Sequence, residues 1–299
     1  MTRFLKNTIS FFIVFYGSLL VIIITINYFI NKKANFIIDK NIKNIVIGNS
    51  QPECAFNDTL ISGFKNLAKS GETYFYNYQK LKKIIEQNPQ INSVFIEFSP
   101  TNILIREDQK IWRNRYLNHH LPNYNAFLDF KDNKLLVVKN SVGYQHAMLK
   151  SMSVNLKRIA TNNYNYIDSI GGYNYLKRNK INKKSDSITL NNNKQYILEN
   201  VNLSTYDILY LDKTVQLCHK KNINIYLIRS PIHKQFVGNS YESIFQKIRK
   251  ERYGDIEFLD FKDFPLQNDE YGDLQHLNYK GARKFSLWFN TWLQDQIEK

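Results

Sequence analysis

Cysteine is nearly absent from this chain. Its 299 residues include only Cys54 and Cys218, far apart. Two thiols so separated do not by themselves imply a disulfide framework, and Cys54, close behind a serine at position 50, reads as a small buried hydrophobe. Gly-rich phosphate loops and dinucleotide fingerprints are missing, and so is any RNA- or DNA-binding motif; no cofactor is expected. Acidic residues are in the minority, with 26 Asp and Glu against 41 Lys and Arg and a formal net charge of +15. The lysines are scattered among abundant Asn, Ile and Tyr rather than clustered, so the excess reads as a composition bias and nucleic acid is not an expected partner. His119, His120 and His146 lack the accompanying carboxylates or cysteines that a metal site needs, so they read as surface residues and no metal is expected.

Long apolar runs are scarce too, and the single exception decides the topology. From Thr8 to Ile30 the chain carries no charge, about the length an α-helix needs to cross a bilayer core. A cleaved signal would have a shorter apolar region ending in small residues, and none precede Lys32. The run therefore reads as an uncleaved signal anchor within residues 1–31, followed by a short polar tether at 32–43. Arg3 and Lys6 before it nearly balance Lys32 and Lys33 after it. The free amino terminus tips the N-terminus toward the cytoplasm, which puts residues 44–299 outside a bacterial plasma membrane, in a periplasm or at a cell surface.

Apolar patterning then alternates between strand and helix. Ile45–Ile47 is a short, wholly apolar strand of the kind buried on both faces of a parallel sheet. Phe64–Ala68, Ser93–Ser99, Ile223–Ile228 and Ile256–Phe261 read as further strands. Helices are expected over Tyr74–Gln87, Thr205–Lys221 and Tyr241–Arg252, and from near Asn278, where Phe285, Trp288, Phe289 and Trp292 share one face. Five strands separated by helices predict an α/β fold, a three-layer α/β/α sandwich around a five-stranded parallel sheet. Residues 103–200 break the alternation and read as a mainly helical insertion, with one helix around Val142–Ile159, expected to pack over the active-site edge. In such sheets ligands bind beyond the carboxyl ends of the strands, where the segments holding Ser50, Gly71, Asn102 and Pro231 all fall.

Gly48-Asn49-Ser50 ends the first strand with a serine at the start of the next helix, where backbone N–H groups and the helix dipole favour negative charge. A serine nucleophile needs a base, and Asp273-Leu-Gln-His276 supplies one near the last helix. A carboxylate beside an imidazole fixes its tautomer and leaves the other ring nitrogen to face the serine. Taken singly, Gly-Asn-Ser is an ordinary turn, and Asp-Leu-Gln-His is a solvated loop with Asn278 as a helix cap. Their joint placement, at the end of the first strand and the start of the last helix, points to catalysis. The discriminating measurement is a Ser50–His276 separation within about 3 Å.

With these residues the chain resembles the SGNH, or GDSL-like, hydrolases and acyltransferases over most of Asn44–Lys299. Gly48-Asn49-Ser50 is similar to the family's first block, with Asn49 where the eponymous motif has Asp. Asn66-Leu-Ala-Lys-Ser70-Gly71 is similar to the second block, and Asp273-x-x-His276 to the last. The resemblance implies a flavodoxin-like fold, a Ser50–His276–Asp273 triad, and an oxyanion hole from the N–H groups of Ser50 and Gly71. The third block departs from the family: Phe98-Ser-Pro-Thr-Asn102 stands where Gly-x-Asn-Asp is usual, and Asn102 is either a side-chain donor to the oxyanion or a turn residue. Membrane-anchored members imply O-acetyl transfer or ester hydrolysis on a cell-envelope polysaccharide or other O-acylated glycan, with transfer favoured. Some of these act beside a multi-span membrane-bound O-acyltransferase. The competing reading is a non-catalytic polysaccharide-binding or assembly protein with a degenerate site. His233, after the fourth strand, and Arg113, which with Arg115 flanks Trp112, are candidate substrate contacts.

Overall fold

The computed structural model describes residues 1–181 and 202–297. Two compact units emerge, Met1–Asn35 with Trp112–Tyr166, and Phe36–Ile111 with Ile167–Lys299. The first helices are α1 (Thr2–Lys33), α2 (Ser50–Ala55), α3 (Tyr74–Gln87), α4 (Ile105–Trp112), α5 (Asn114–Tyr124) and α6 (Phe130–Lys139). They are followed by α7 (Ser141–Ala160), α8 (Ile167–Ile170), α9 (Tyr206–Lys220), α10 (Glu242–Tyr253) and α11 (Tyr279–Ile297).

In the larger unit, strands β1 (Asn44–Ile47), β2 (Phe64–Asn66), β3 (Ser93–Glu97), β4 (Asn224–Arg229) and β5 (Glu257–Asp260) form one sheet in the order β2-β1-β3-β4-β5. All four pairings are parallel, with Ile45 opposite Val94, Phe95 opposite Tyr226 and Leu227 opposite Phe258. Every residue of β1 and β3 is buried, as short apolar strands covered on both faces require. The expected strands and helices are all present, with ends moved by a few residues. Every strand finishes at the same edge of the sheet.

The last helix is held there by aromatic packing. Phe285 and Phe289, one turn apart and fully buried, lie with ring centroids 5.1 and 5.0 Å from Phe56, and Phe289 also meets Phe64 at 5.5 Å and Phe95 at 5.7 Å. Trp288, expected on the same face, is instead 41% exposed: three residues from Phe285 and one from Phe289, it falls on the rim of the stripe, against Phe261 and Phe264. The stretch expected as a short tether makes ordered contacts of its own. Phe36 and Ile38 are buried; their amides donate to Gln87 Oε1 at 2.7 Å and Asn88 Oδ1 at 2.8 Å, and Asn88 Nδ2 donates back to the Phe36 carbonyl at 2.8 Å. Two apolar residues in alternation give that segment a face to bury, and Asn88 satisfies its backbone.

In the smaller unit α7 packs on α5, α6 and α1. The helix α1 is long and apolar enough to cross a membrane. The insertion is helical as far as Ile170, then runs without regular structure through residues 171–181; its final part, 182–201, lies outside the described residues.

Candidate active site

Ser50 is the first residue of α2. The Asn49 side chain caps that helix by accepting the Gln51 amide at 2.9 Å, as short polar residues do at N-caps. Pro52 costs the helix nothing, because first-turn amides have no intrahelical acceptor. For the same reason the Ser50 amide is left pointing out of the helix start. Gly48 adopts φ +152°, and a Cβ there would meet Glu97 Cβ at 2.6 Å and Pro52 Cγ at 2.9 Å. Only glycine lets β1 turn this sharply against β3.

His276 reaches the serine from the loop before α11. Its Nε2 lies 2.7 Å from Ser50 Oγ, and its Nδ1 lies 2.7 Å from Asp273 Oδ1. An ionised carboxylate only accepts, so Nδ1 carries the proton and Nε2 is left to accept from the serine hydroxyl. The Asp273 oxygen that faces the ring also accepts the amides of Gln275 at 2.9 Å and His276 at 3.1 Å. Its other oxygen is paired with Arg178, Nη2 to Oδ2, at 2.5 Å. Partial burial pushes the Asp273 carboxyl up, but the hydrogen bond and charge of His276, the Gln275 amide and Arg178 outweigh it and hold the group well below the usual carboxylate range. Asp273 is thus a fixed anion.

One core cluster positions both halves of this arrangement. Ala55 and Phe56, at the end of α2, pack in it with Tyr271 and Leu277, which bracket the Asp273–His276 loop. Ser286 Oγ bridges the same elements, accepting the Asn57 amide at 2.8 Å and donating to the Ala55 carbonyl at 3.2 Å. Asn278 caps α11 by accepting the Lys280 amide at 2.9 Å, and its Nδ2 donates to the carbonyls of Asp269 at 2.6 Å and Tyr271 at 3.1 Å. It is the cap expected of it, in a loop that is not merely solvated.

Gly71 lies in the turn after β2 at φ +76°, and its amide donates to no backbone acceptor among the described residues. That turn is built on buried polar contacts. Lys80 Nζ, fully buried, donates to the Leu67 carbonyl at 2.5 Å and to Glu72 Oε2 at 2.6 Å, and the Lys69 amide donates to the Gly48 carbonyl at 3.1 Å. Asn102 is buried in the turn after β3. Its Oδ1 accepts the Ser99 amide at 2.9 Å and the Ser99 hydroxyl at 2.7 Å. Ser99 Oγ is in turn 3.3 Å from Gln51 Oε1, next to the nucleophile. Asn102 thus holds the turn through Oδ1, and the same two bonds fix the orientation of its amide.

His233 is buried with both ring nitrogens engaged: Nδ1 accepts the Gln235 amide at 3.2 Å and Nε2 lies 3.1 Å from Asn268 Oδ1. Its own amide donates to the Leu274 carbonyl at 3.1 Å, so it buttresses the Asp273–His276 loop. Beside that loop, Ile232–Lys234 and parts of 262–271 line a cleft of about 600 Å³. Arg113 precedes α5 in the smaller unit and is exposed, like Arg115, while Lys139 covers the Trp112 ring at 5.2 Å. His119 and His146 are exposed, but His120, expected on the surface, is fully buried: it falls on the inner face of α5 with Leu117 and Leu121. Cys54 and Cys218 are both free and buried. Burial, with the nearby Glu53 and Asp273 charges, pushes the Cys54 thiol up to about 12, so it is inert beside Ser50.

Residues 171–181 form a strap along these elements. The Gly172 amide donates to Ala68, that of Asn174 to Glu53 and that of Lys180 to Gly272, while Leu176 accepts the Tyr279 amide. Tyr175, 54% exposed, stacks on Tyr279 with ring centroids 5.0 Å apart. Arg178 is the site residue that sequence reasoning missed. It lies in an aperiodic stretch 95 residues before Asp273, and no spacing signals it.

No curated protein matches the chain in sequence. A family model without a descriptive name matches residues 173–298, less than half of the chain. Among solved structures, a GDSL-like lipase from Bacteroides thetaiotaomicron is similar over 90% of this chain and 93% of its own, with 12% identity and a TM-score of 0.39. At that level of likeness, the sheet topology and the site distances of this chain carry the functional reading.

Proposed function

We propose that the chain is a serine-dependent O-acyl transferase or esterase of the SGNH type. The observation that carries it is the continuous Ser50–His276–Asp273 relay, with both links at 2.7 Å, inside the reach that base catalysis needs. Ser50 Oγ bonds to the ester carbonyl carbon as its proton moves to His276 Nε2, and Asp273 stabilises the imidazolium. The oxyanion is received by the amides of Ser50 and Gly71, with the Asn102 side chain as a third donor; one such donor is worth about 10²–10³ in rate. When the tetrahedral adduct collapses, the leaving alcohol takes the proton from His276 and an acyl-serine remains. An incoming hydroxyl gives its proton to His276 as it attacks the acyl carbon, and when the second adduct collapses His276 returns that proton to Ser50 Oγ, which leaves as the free hydroxyl.

A fluorophosphonate probe is expected to label the wild-type chain and not Ser50→Ala. Absence of labelling and of aryl-acetate turnover in folded protein would favour the non-catalytic polysaccharide-binding reading instead.

The second acyl acceptor in this proposal is a sugar hydroxyl of a cell-envelope polysaccharide, with the soluble part outside the plasma membrane. Support comes from the strap's exposed Tyr175 platform and the cleft beside the catalytic loop, since a transferase must position a hydroxyl and keep competing water out. The apolar helix α1 suits an acyl donor at the membrane, such as a multi-span O-acyltransferase. Incubation with an acetyl ester and envelope oligosaccharides, followed by mass spectrometry, separates the two activities. Acetylated glycan is the expected product, and free acetate alone whichever glycan is present would make the protein an esterase.

A further inference from the structure

The smaller unit has an apolar surface that neither the catalytic chemistry nor its own core uses. On α7, Tyr144, Ala147, Ser151 and Asn155 are buried, the i, i+3, i+4 stripe of a packed helix face. On the opposite face Val142, Leu149 and Leu156, seven residues apart, are 77%, 49% and 46% exposed. The neighbouring α6 adds Phe130 at 82% and Val138 at 71%. Scattered exposed apolar residues are ordinary, but three large ones repeated at one position along α7, with two more exposed on α6, are more than scatter.

Its position along α1 identifies what covers it. Asn155 Nδ2 donates to Asn27 Oδ1 at 3.2 Å, and Asn35 pairs in parallel with Asn165 while accepting the Tyr166 amide at 2.9 Å. Thus α7 meets α1 at Asn27, and the chain that follows α7 stays beside the end of α1. Ile23 and Ile30 of α1 are buried within this unit, while most of the remaining α1 side chains are exposed. A hydrocarbon core about 30 Å thick takes roughly twenty helical residues, so a span that begins at Thr8 ends near Asn27. Packing that reaches down to Ile23 is therefore at the bilayer boundary or below it.

Charge fits the same occupant. Residues 130–160 contain six Lys and Arg and one acid, Asp132, and that acid is buried in the capping box of α6. Exposed His146, Lys150 and Lys157 flank one side of the apolar stripe. An apolar face bordered by bases is the composition of a helix that lies in a membrane interface, with acyl chains under the apolar residues and anionic headgroups against the bases.

We infer that α6 and α7 bed into the outer leaflet beside α1, making the anchor a helical cluster in contact with lipid rather than a lone span. This rests on α1 being a membrane helix and is independent of the catalytic reading. The test uses the full chain in vesicles of phosphatidylcholine and phosphatidylglycerol. Val142→Cys and Leu149→Cys are labelled with an environment-sensitive nitrobenzoxadiazole, which the two buried native thiols do not compete for. Lys250→Cys, exposed on α10, is the control. Labels at 142 and 149 are expected to emit to the blue of the control and to be quenched by acyl-brominated lipid. Water-like, unquenched emission at both positions overturns the inference. So does a blue shift without bromolipid quenching, which would mean that a second copy or another protein covers the face.

Discussion

Two carboxyl groups at the same edge of the sheet have opposite fates. Asp273 is partly exposed and receives the His276 ring, two backbone amides and Arg178. Glu97, at the end of β3, is completely buried; its Oε2 accepts the Ser230 amide at 3.1 Å and hydroxyl at 2.6 Å, and its Oε1 has no partner. Donors outnumber the cost of burial for the first, which stays ionised. Desolvation dominates for the second and pushes its carboxyl up to about 7, against the opposing Ser230 bonds. Burial alone does not rank them: what decides is how many donors the fold aims at each oxygen. The carboxylate beside the His276 ring is surrounded by donors, and the one beneath the Gly48–Ser50 turn is left half-satisfied.

Breaking the donor-rich member has the largest expected effect. Asp273→Asn keeps the shape but presents the wrong hydrogen-bonding partner to His276, and kcat should fall by about 10⁴-fold; steady-state kinetics on an aryl ester, with unchanged circular dichroism, is the check. On the floor side, Gly48→Ala puts a methyl against Glu97 and Pro52 at an unfavourable φ. Strain and overpacking together should cost roughly 3 kcal/mol, read from the urea midpoint.

Glu97→Gln sharpens the contrast through pH. A carboxyl whose folded pKa is raised binds its proton more tightly in the folded state, so its contribution is complete below the ordinary value of 4.5 and is lost as pH rises to about 7. The wild type should therefore lose up to about 3 kcal/mol over that interval, and Glu97→Gln should flatten the profile. An unchanged slope in denaturation series across this range would show Glu97 to be ionised when folded. The smallest effect is expected of Arg178→Ala. The guanidinium is 44% exposed, and exposed ion pairs are worth ~0.2–1 kcal/mol, so kcat should drop by no more than about fivefold, with the loss recovered in Arg178→Lys.

The parts of this site that were legible in the sequence are those whose chemistry demands a fixed residue at a fixed place in the fold. Ser50 closes an apolar strand, and Asp273 and His276 share one loop at a spacing that brings a carboxylate to a ring. Glu97 was hidden because Ser93–Glu97 reads as a strand, and nothing in a strand pattern says whether a terminal carboxyl turns inward. His120 and Trp288 were misplaced for a related reason: helical period fixes the angle between side chains, while the packing partner decides which angle is inside. Phe36 and Ile38 belong to a short apolar patch in an otherwise polar stretch, and the pairing of their backbone depends on Asn88, some fifty residues later. Local pattern carries no information about such a partner.

The bond between Ser50 and His276 closes a loop of 226 residues, and the loop is held shut by the packing of α11 on Phe56. A chain made from its amino terminus exposes Ser50 early, yet His276 can reach it only after α11 has been made and its Phe285 and Phe289 have found Phe56. Timing is thereby built into the covalent order of the chain. On the proposed mechanism, Ser50 stays an ordinary alcohol throughout synthesis and gains its base only when that packing is in place.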